Sequence, residues 1–238
     1  MGVERAVLIV FAKEPRPGQV KTRMSPPLRP DQAADLYSHL LDDVLEATER
    51  LSDELLLDAV LAVHPPEAVR RMASRVPASF RVVPQRGADL GQRMEWAAAQ
   101  AAAQGAGRIL LRGSDSPLLD SGIVGAALRA LDSNDVAISP DTDGGYSLVG
   151  MRSFVAGLFD HPMSTRTVLQ DTQSVAASLN LKTAQLAASF DLDTADDLRF
   201  LVRACRGGYS ELCSRTLTWL EENDAWRESG PANAGAKS

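Results

Sequence analysis

The chain has 238 residues, 45% hydrophobic and 24% charged, with a formal net charge of −6 and a pI near 5.1. That composition suits one α/β domain with a sizeable core, or two small ones, and an acidic chain without a basic stretch points to a small phosphorylated ligand rather than nucleic acid. The longest apolar runs are far short of a membrane span, and the opening MGVERAVLIVFAKEP has too short an apolar part, and no A-x-A site, for a signal peptide.

Ala6 to Ala12, AVLIVFA, is an unbroken apolar run and predicts a buried parallel strand. The loop that leaves it, Lys13 to Pro27 (KEPRPGQVKTRMSPP), carries Lys13, Arg16, Lys21 and Arg23 among rigid prolines. Ligands of open α/β sheets bind outside the carboxyl ends of the strands, so these cations would sit at a ligand-binding rim. A polyanion explains them most simply, and a nucleotide phosphate chain is the leading candidate.

Pro30 to Leu51 reads as a helix, with Leu36, Leu40 and Val44 repeating every fourth residue. Glu54 to Val63 reads as a second strand, Glu67 to Ser74 as a short helix and Phe80 to Pro84 as a third strand. QRGADLGQRM (85–94) is a glycine-bearing loop running into an alanine-rich helix that ends near Gln104. Arg108 to Arg112 is a fourth strand, Leu118 to Leu131 a helix and Asp135 to Ser139 a fifth strand. Helices are expected at about 152–159 and 165–178, the second capped by Ser164 or Thr165. The apolar segment LKTAQL precedes two closing helices near 195–206 and 209–223, and the tail from Asp224 is expected to be disordered. Strands alternating with helices predict a single-domain, doubly wound, mostly parallel sheet over residues 1–223, with the loops after strands one, three, four and five on one rim. Cys205 and Cys213 form no C-x-x-C pair and no metal pattern, so a reduced, cytoplasmic setting is expected.

Three stretches carry candidate chemistry. Asp115, in GSDSP after the fourth strand, could bind a hard cation such as Mg²⁺ or cap the following helix. Asp191 and Asp193 form D-x-D; in extended chain they point the same way, about 6.5–7 Å apart, and could approach one metal site. The competing reading is a helix cap, with Thr194 and Asp197 resembling a capping box. DGGY (143–146) could let the backbone approach a ligand or simply turn a hairpin. The P-loop, G-x-G-x-x-G and G-x-S-x-G patterns are not met.

FAKEPRPGQVKTRM, GADLGQRM, GSDSPLL, DTDGGYSLVG, MSTRTVLQDT and FDLDTADDL, in that order, resemble a family of bacterial GT-A-type, glycosyltransferase-like or radical-SAM/selenodomain-associated transferases. That family is similar in fold to 2-phospho-L-lactate guanylyltransferase and the molybdenum-cofactor nucleotidyltransferases. The resemblance implies a nucleotide-diphospho-sugar-transferase fold. It further implies that Lys13, Lys21 and Arg23 hold the triphosphate, that Gly18 binds the nucleotide, and that Lys21 and Arg23 stabilise the departing pyrophosphate. Gln85, Gly87, Asp89, Leu90 and Gly91 would lie near the base. Asp115, Asp191 and Asp193 would hold Mg²⁺ or Mn²⁺, and Gly144 and Gly145 would approach the second substrate or the sugar. One departure affects base choice: a Pro-Gly loop ending K-T-R stands where the nucleotidyltransferases open with G-x-G-T/S-R. The expected activity is nucleotidyl transfer from an NTP to a small phosphate- or phosphonate-bearing acceptor. Glycosyl transfer from a nucleotide sugar is the alternative, and a non-catalytic nucleotide-binding protein a third reading.

Overall fold

A computed structural model describes residues 5–163 and 165–227. The expected cap at Ser164, and the tail beyond Arg227, lie outside the described residues; the first residues of the tail expected to be disordered, Asp224–Arg227, instead form a 3-10 turn, with Trp226 buried and its Nε1 donating to Leu220 O at 2.9 Å. The backbone gathers into two compact units. The first holds the residues up to Glu14 together with Val44–Asp191; the second holds Pro15–Asp43 and the residues from Leu192 onward.

The first unit contains a seven-stranded sheet: β1 (Ala6–Lys13), β2 (Leu57–His64), β3 (Arg81–Pro84), β4 (Arg108–Gly113), β5 (Val136–Pro140), β6 (Tyr146–Met151) and β7 (Thr183–Gln185). The order across it is β3-β2-β1-β4-β6-β5-β7. All neighbours are parallel except β6, which runs against both β4 and β5. Period-two alternation sends successive β1 side chains to opposite faces, and both faces are apolar. Val7 and Ile9 join Ile109, Leu111 and Ile138 under α3 (Leu90–Ala103) and α5 (Val168–Ser178). Leu8 joins Leu110 and Leu148 under α4 (Ser121–Ala130) and the later half of α1 (Pro30–Leu55). A short α2 (Val69–Ala73) follows β2.

The second unit holds the basic loop, the earlier half of α1, α6 (Ala195–Ala204) and α7 (Ser214–Glu222). Asp43 of α1 accepts from Arg215 N at 3.0 Å, Thr216 N at 2.8 Å and Thr216 Oγ1 at 2.7 Å, satisfying the first turn of α7. Trp219 Nε1 donates to Asp35 Oδ2 at 2.6 Å, binding the same two helices together.

The mostly parallel α/β sheet is the expected one, and the differences are local. The ELL of 54–56 does not open the second strand. The four-residue apolar period carries α1 on to Leu55, and Leu56, left-handed at φ 56 and 82% exposed, turns the chain into β2. No helix forms over 152–159: the chain turns at Gly157, φ 77, and seats Leu158 and Phe159 in the core. The helix expected from 165 starts at Val168, and that expected from 209 starts at Ser214, after irregular turns through Gly208. Tyr146–Met151, left open in the sequence, is a full strand. Among the described residues no helix is long and apolar enough to cross a membrane.

Candidate active site

The carboxyl ends of β1, β2, β3, β4, β5 and β7 point the same way and form one rim of the first unit. The strand order reverses between β1 and β4, because β2 and β3 lie to one side of β1 and all later strands to the other. Such a reversal opens a crevice at the carboxyl ends, where ligands of this fold class bind.

On the β1–β3 side the rim is cationic. Lys13 and His64 end their strands as register partners, so their side chains stand next to each other. Arg93, in the first turn of α3, donates from Nε to Gly87 O at 3.2 Å and from Nη2 to Ala88 O at 3.3 Å. Partial burial, then the charges of Arg93 and Lys13, hold the His64 pKa below its ordinary value.

The residues expected near a base have mixed positions. Gln85 is buried; its Nε2 donates to Ala62 O at 2.9 Å and Ala12 O at 3.2 Å, tying the ends of β1 and β2 together. Asp89 caps α3, accepting from Gln92 N at 2.8 Å. Gly91 packs so closely that a Cβ there would stand 2.4 Å from Phe159 O. Gly87 lies in the loop braced by Arg93, and Leu90 remains exposed at the helix start.

Beyond β4 the rim is acidic. Asp120, not Asp115, caps α4, accepting from Ile123 N at 3.0 Å, so the capping alternative for Asp115 falls away. Asp115 lies in the turn after β4. Asp141 is the first residue after β5, and Ser189 N donates to Pro140 O at 2.9 Å, bringing the chain before Asp191 alongside. Ser116 Oγ donates to Asp191 Oδ1. The Asp191 carboxyl is held well above the usual carboxylate range, by burial first, then by the charge and hydrogen bond of Asp141 and the charge of Asp115; Ser116 pulls the other way. Asp141 was not among the sequence candidates. It obeys the rule that found Asp115, an acid at a parallel strand's carboxyl end, but DTDGG reads as a turn.

That turn is a hairpin closed by Asp141 N to Gly145 O at 3.1 Å, with Gly145 N donating to Asp143 Oδ1 at 3.0 Å. Gly144 sits at φ 97, and a Cβ on it would stand 2.1 Å from Arg166 O. Only glycine fits there.

The second unit collects the remaining candidates. Lys21, at φ 47 with a buried side chain, donates to Leu192 O and, at 3.4 Å, to Asp193 Oδ1; its Nζ lies 5.9 Å from the Tyr37 ring centroid. Arg23 Nη1 donates to Asp193 Oδ2 at 3.2 Å. Asp193 N and Thr194 N donate to Asp197 Oδ2 at 3.0 and 2.6 Å, so the capping box at the start of α6 is formed. Asp191 and Asp193 therefore have separate partners, the first among acids and a serine, the second between two cations. Gly18 lies earlier in the basic loop, where a Cβ would meet nothing within 4 Å.

Among the described residues no three histidine, cysteine or acidic side chains form a ready-made metal cluster. The donor set still fits Mg²⁺, which takes one or two carboxylates and completes its shell with water and substrate phosphates. Asp141 and Asp115 both press on the Asp191 carboxyl. Such a group of like charges is relieved by a cation.

A family model described as "Uncharacterized protein conserved in bacteria (DUF2064)" matches residues 47–165, half of the chain. The chain belongs to the DUF2064 family. This DUF2064 protein is 33% identical to a solved structure from Desulfovibrio desulfuricans G20 provisionally named a nucleotide-diphospho-sugar transferase, with a TM-score of 0.85 over 95% of this chain and 98% of the other. It is 29% identical to the phosphoenolpyruvate guanylyltransferase of Sphaerobacter thermophilus, over 76% of this chain and 86% of that protein. A cytidylyltransferase from Leptospira borgpetersenii, 12% identical, shares the fold with a TM-score of 0.58 over 97% of this chain and 99% of the other. The DUF2064 chain is thus a transferase of a nucleotidyltransferase-like family, as the motif order led us to expect.

Proposed function

We propose that the protein transfers a nucleotidyl group from an NTP to a small phosphate- or phosphonate-bearing acceptor. An acceptor oxygen attacks the α-phosphorus, the bond from the α-phosphorus to the β-bridging oxygen breaks, and pyrophosphate leaves. The observation that carries this reading is the divided rim of the first unit. Lys13 ends β1 and Arg93 opens α3 after β3, acids follow β4 and β5, and the strand order reverses between them. In-line phosphoryl chemistry needs positioning and charge neutralisation more than a covalent nucleophile.

Asp115, Asp141 and Asp191 would hold Mg²⁺ or Mn²⁺. When bound, the ion supplies charge neutralisation at the phosphate oxygens. Lys13 and Arg93 would attract the phosphate chain, and the loop at 87–91 would border the base. Gly144 and Gly145 would let the acceptor come close to the hairpin backbone. Lys21 and Arg23, expected at the triphosphate, belong to the second unit, where Asp193 is their counter-ion. Asp193 is the weakest of the expected metal ligands, because its oxygens already serve those two cations.

The name of the Sphaerobacter relative makes GTP with phosphoenolpyruvate the first pair to test, followed by the other NTPs. Pyrophosphate release that requires both substrates and a divalent cation supports the reading. Asp191→Asn should then lower kcat by about 10²–10³-fold. Absence of pyrophosphate with every NTP and acceptor would refute it. The name of the Desulfovibrio relative favours a second reading, glycosyl transfer from a nucleotide sugar. Free nucleoside diphosphate, in place of pyrophosphate, would establish that one.

A further inference from the structure

One charged residue of the first unit has no part in the reading above. Arg112 is 2% exposed, on the face of β4 that also carries Leu110. Its register partners are Val10 on β1 and Leu148 on β6, both fully buried. An apolar side chain would suit this position, and a buried guanidinium is costly. Burial pushes its pKa down to about 10, with the Asp191 charge acting against that, so it stays cationic at neutral pH.

Its hydrogen bonds give the charge a purpose. Nη2 donates to Ser116 O at 2.6 Å and Nε to Gly113 O at 3.4 Å. The guanidinium thus grips both ends of the turn Gly113–Ser114–Asp115–Ser116 from inside the sheet. Nη1 donates to Thr48 Oγ1 at 3.3 Å, and that hydroxyl donates to Val44 O at 2.7 Å, anchoring the fork to α1. The gripped turn carries Asp115, and it carries the Ser116 hydroxyl that donates to Asp191. No carboxylate is a direct hydrogen-bond partner of Arg112 among the described residues, and its charge acts on Asp191 through space.

We propose that Arg112 is a positioning residue for the acid cluster: its fork fixes the turn bearing Asp115 and Ser116, and its buried charge offsets the repulsion that Asp115 and Asp141 exert on Asp191. This rests on the reading that these acids hold a divalent cation. Groups placed behind metal ligands commonly matter 10- to 100-fold to affinity or activity.

The test is Mn²⁺ binding, followed by electron paramagnetic resonance without nucleotide, together with kcat, KM and melting temperature. The proteins are the parent, Asp191→Asn, Arg112→Met and Arg112→Lys. Asp191→Asn should weaken Mn²⁺ binding. Arg112→Met should weaken it and lower kcat by roughly 10- to 100-fold, with KM for the nucleotide nearly unchanged. Its melting temperature should hold or rise, because an apolar residue of similar length replaces a buried cation. Arg112→Lys keeps the charge without the fork and should fall between the two. Weakened binding in Asp191→Asn but parental binding and kcat in a folded Arg112→Met overturns the inference and leaves the metal reading intact. Parental Mn²⁺ binding in Asp191→Asn removes the metal reading, and the inference with it. If Arg112→Met does not fold, Arg112→Lys decides: a folded variant with parental kcat and Mn²⁺ affinity overturns the inference.

Discussion

The two halves of the sheet's carboxyl rim are built to different standards. On the β1–β3 side, Lys13 is exposed and Arg93 half-buried, and the bonds Arg93 makes are to loop carbonyls at 3.2 and 3.3 Å. On the β4–β7 side the acids are half-buried, drawn against one another, and Asp191 is held by the hydroxyl of a fully buried serine. Exposed cations in high dielectric attract a polyanion at long range but orient it weakly. Carboxylates crowded in a less polar place interact strongly and tolerate little displacement. The cationic half is therefore suited to capture, and the acidic half to the chemical step.

Substitutions can break or sharpen that contrast. The largest effect is expected from Asp141→Asn, which keeps the shape of the side chain and removes its charge. The expected loss is about 10²–10³ in kcat, with KM for the nucleotide changed by less than about threefold. Steady-state kinetics checks this, and a variant altered only in KM would contradict the assignment of chemistry to this side. Lys13→Met should do the reverse, raising KM about tenfold, or roughly 1.4 kcal/mol, with kcat nearly kept. That penalty should shrink as ionic strength rises, because exposed charges are screened.

The smallest effect concerns His64. Its folded pKa lies below the ordinary 6.5, because burial and the charges of Arg93 and Lys13 disfavour the imidazolium. The unfolded chain then binds the proton more readily, so the stabilisation is fully present above pH 6.5 and is lost as pH falls through the folded value. Below pH 6.5 the parent's melting temperature should fall more steeply than that of His64→Gln, and the two curves should run parallel above pH 7. A parent curve as flat as the variant's would show that the cations do not press on this ring.

Much of this arrangement is legible in the sequence, because apolar runs ended by turn residues locate parallel strands and parallel strands share a rim. Asp115 follows from that logic, and Asp191 from the D-x-D spacing. What escapes is set by contacts distant along the chain. Asp141 hides in a stretch whose glycines announce a hairpin, and the hairpin is real; the acid at its base is a second message in the same residues. Arg112 ends a run, RILLR, whose other arginine is partly exposed and hydrogen-bonds Asp132. Only the neighbours on β1 and β6 make one arginine buried and leave the other at the surface. The capping of α7 by Asp43 joins residues 173 positions apart, and no local pattern announces it. The end of α1 is hidden for the opposite reason: a leucine run fits strand and helix alike, and the left-handed turn at Leu56 decides between them.

The hairpin tip offers a practical handle. Thr142 and Asp143 are exposed, both flanking strands are held by neighbours, and the chain's two thiols, Cys205 and Cys213, are buried. A fluorophore attached through Thr142→Cys would therefore report from one known spot, one residue from Asp141, in an otherwise unaltered sequence. Its emission could follow ligand arrival in real time, before any turnover assay has been found.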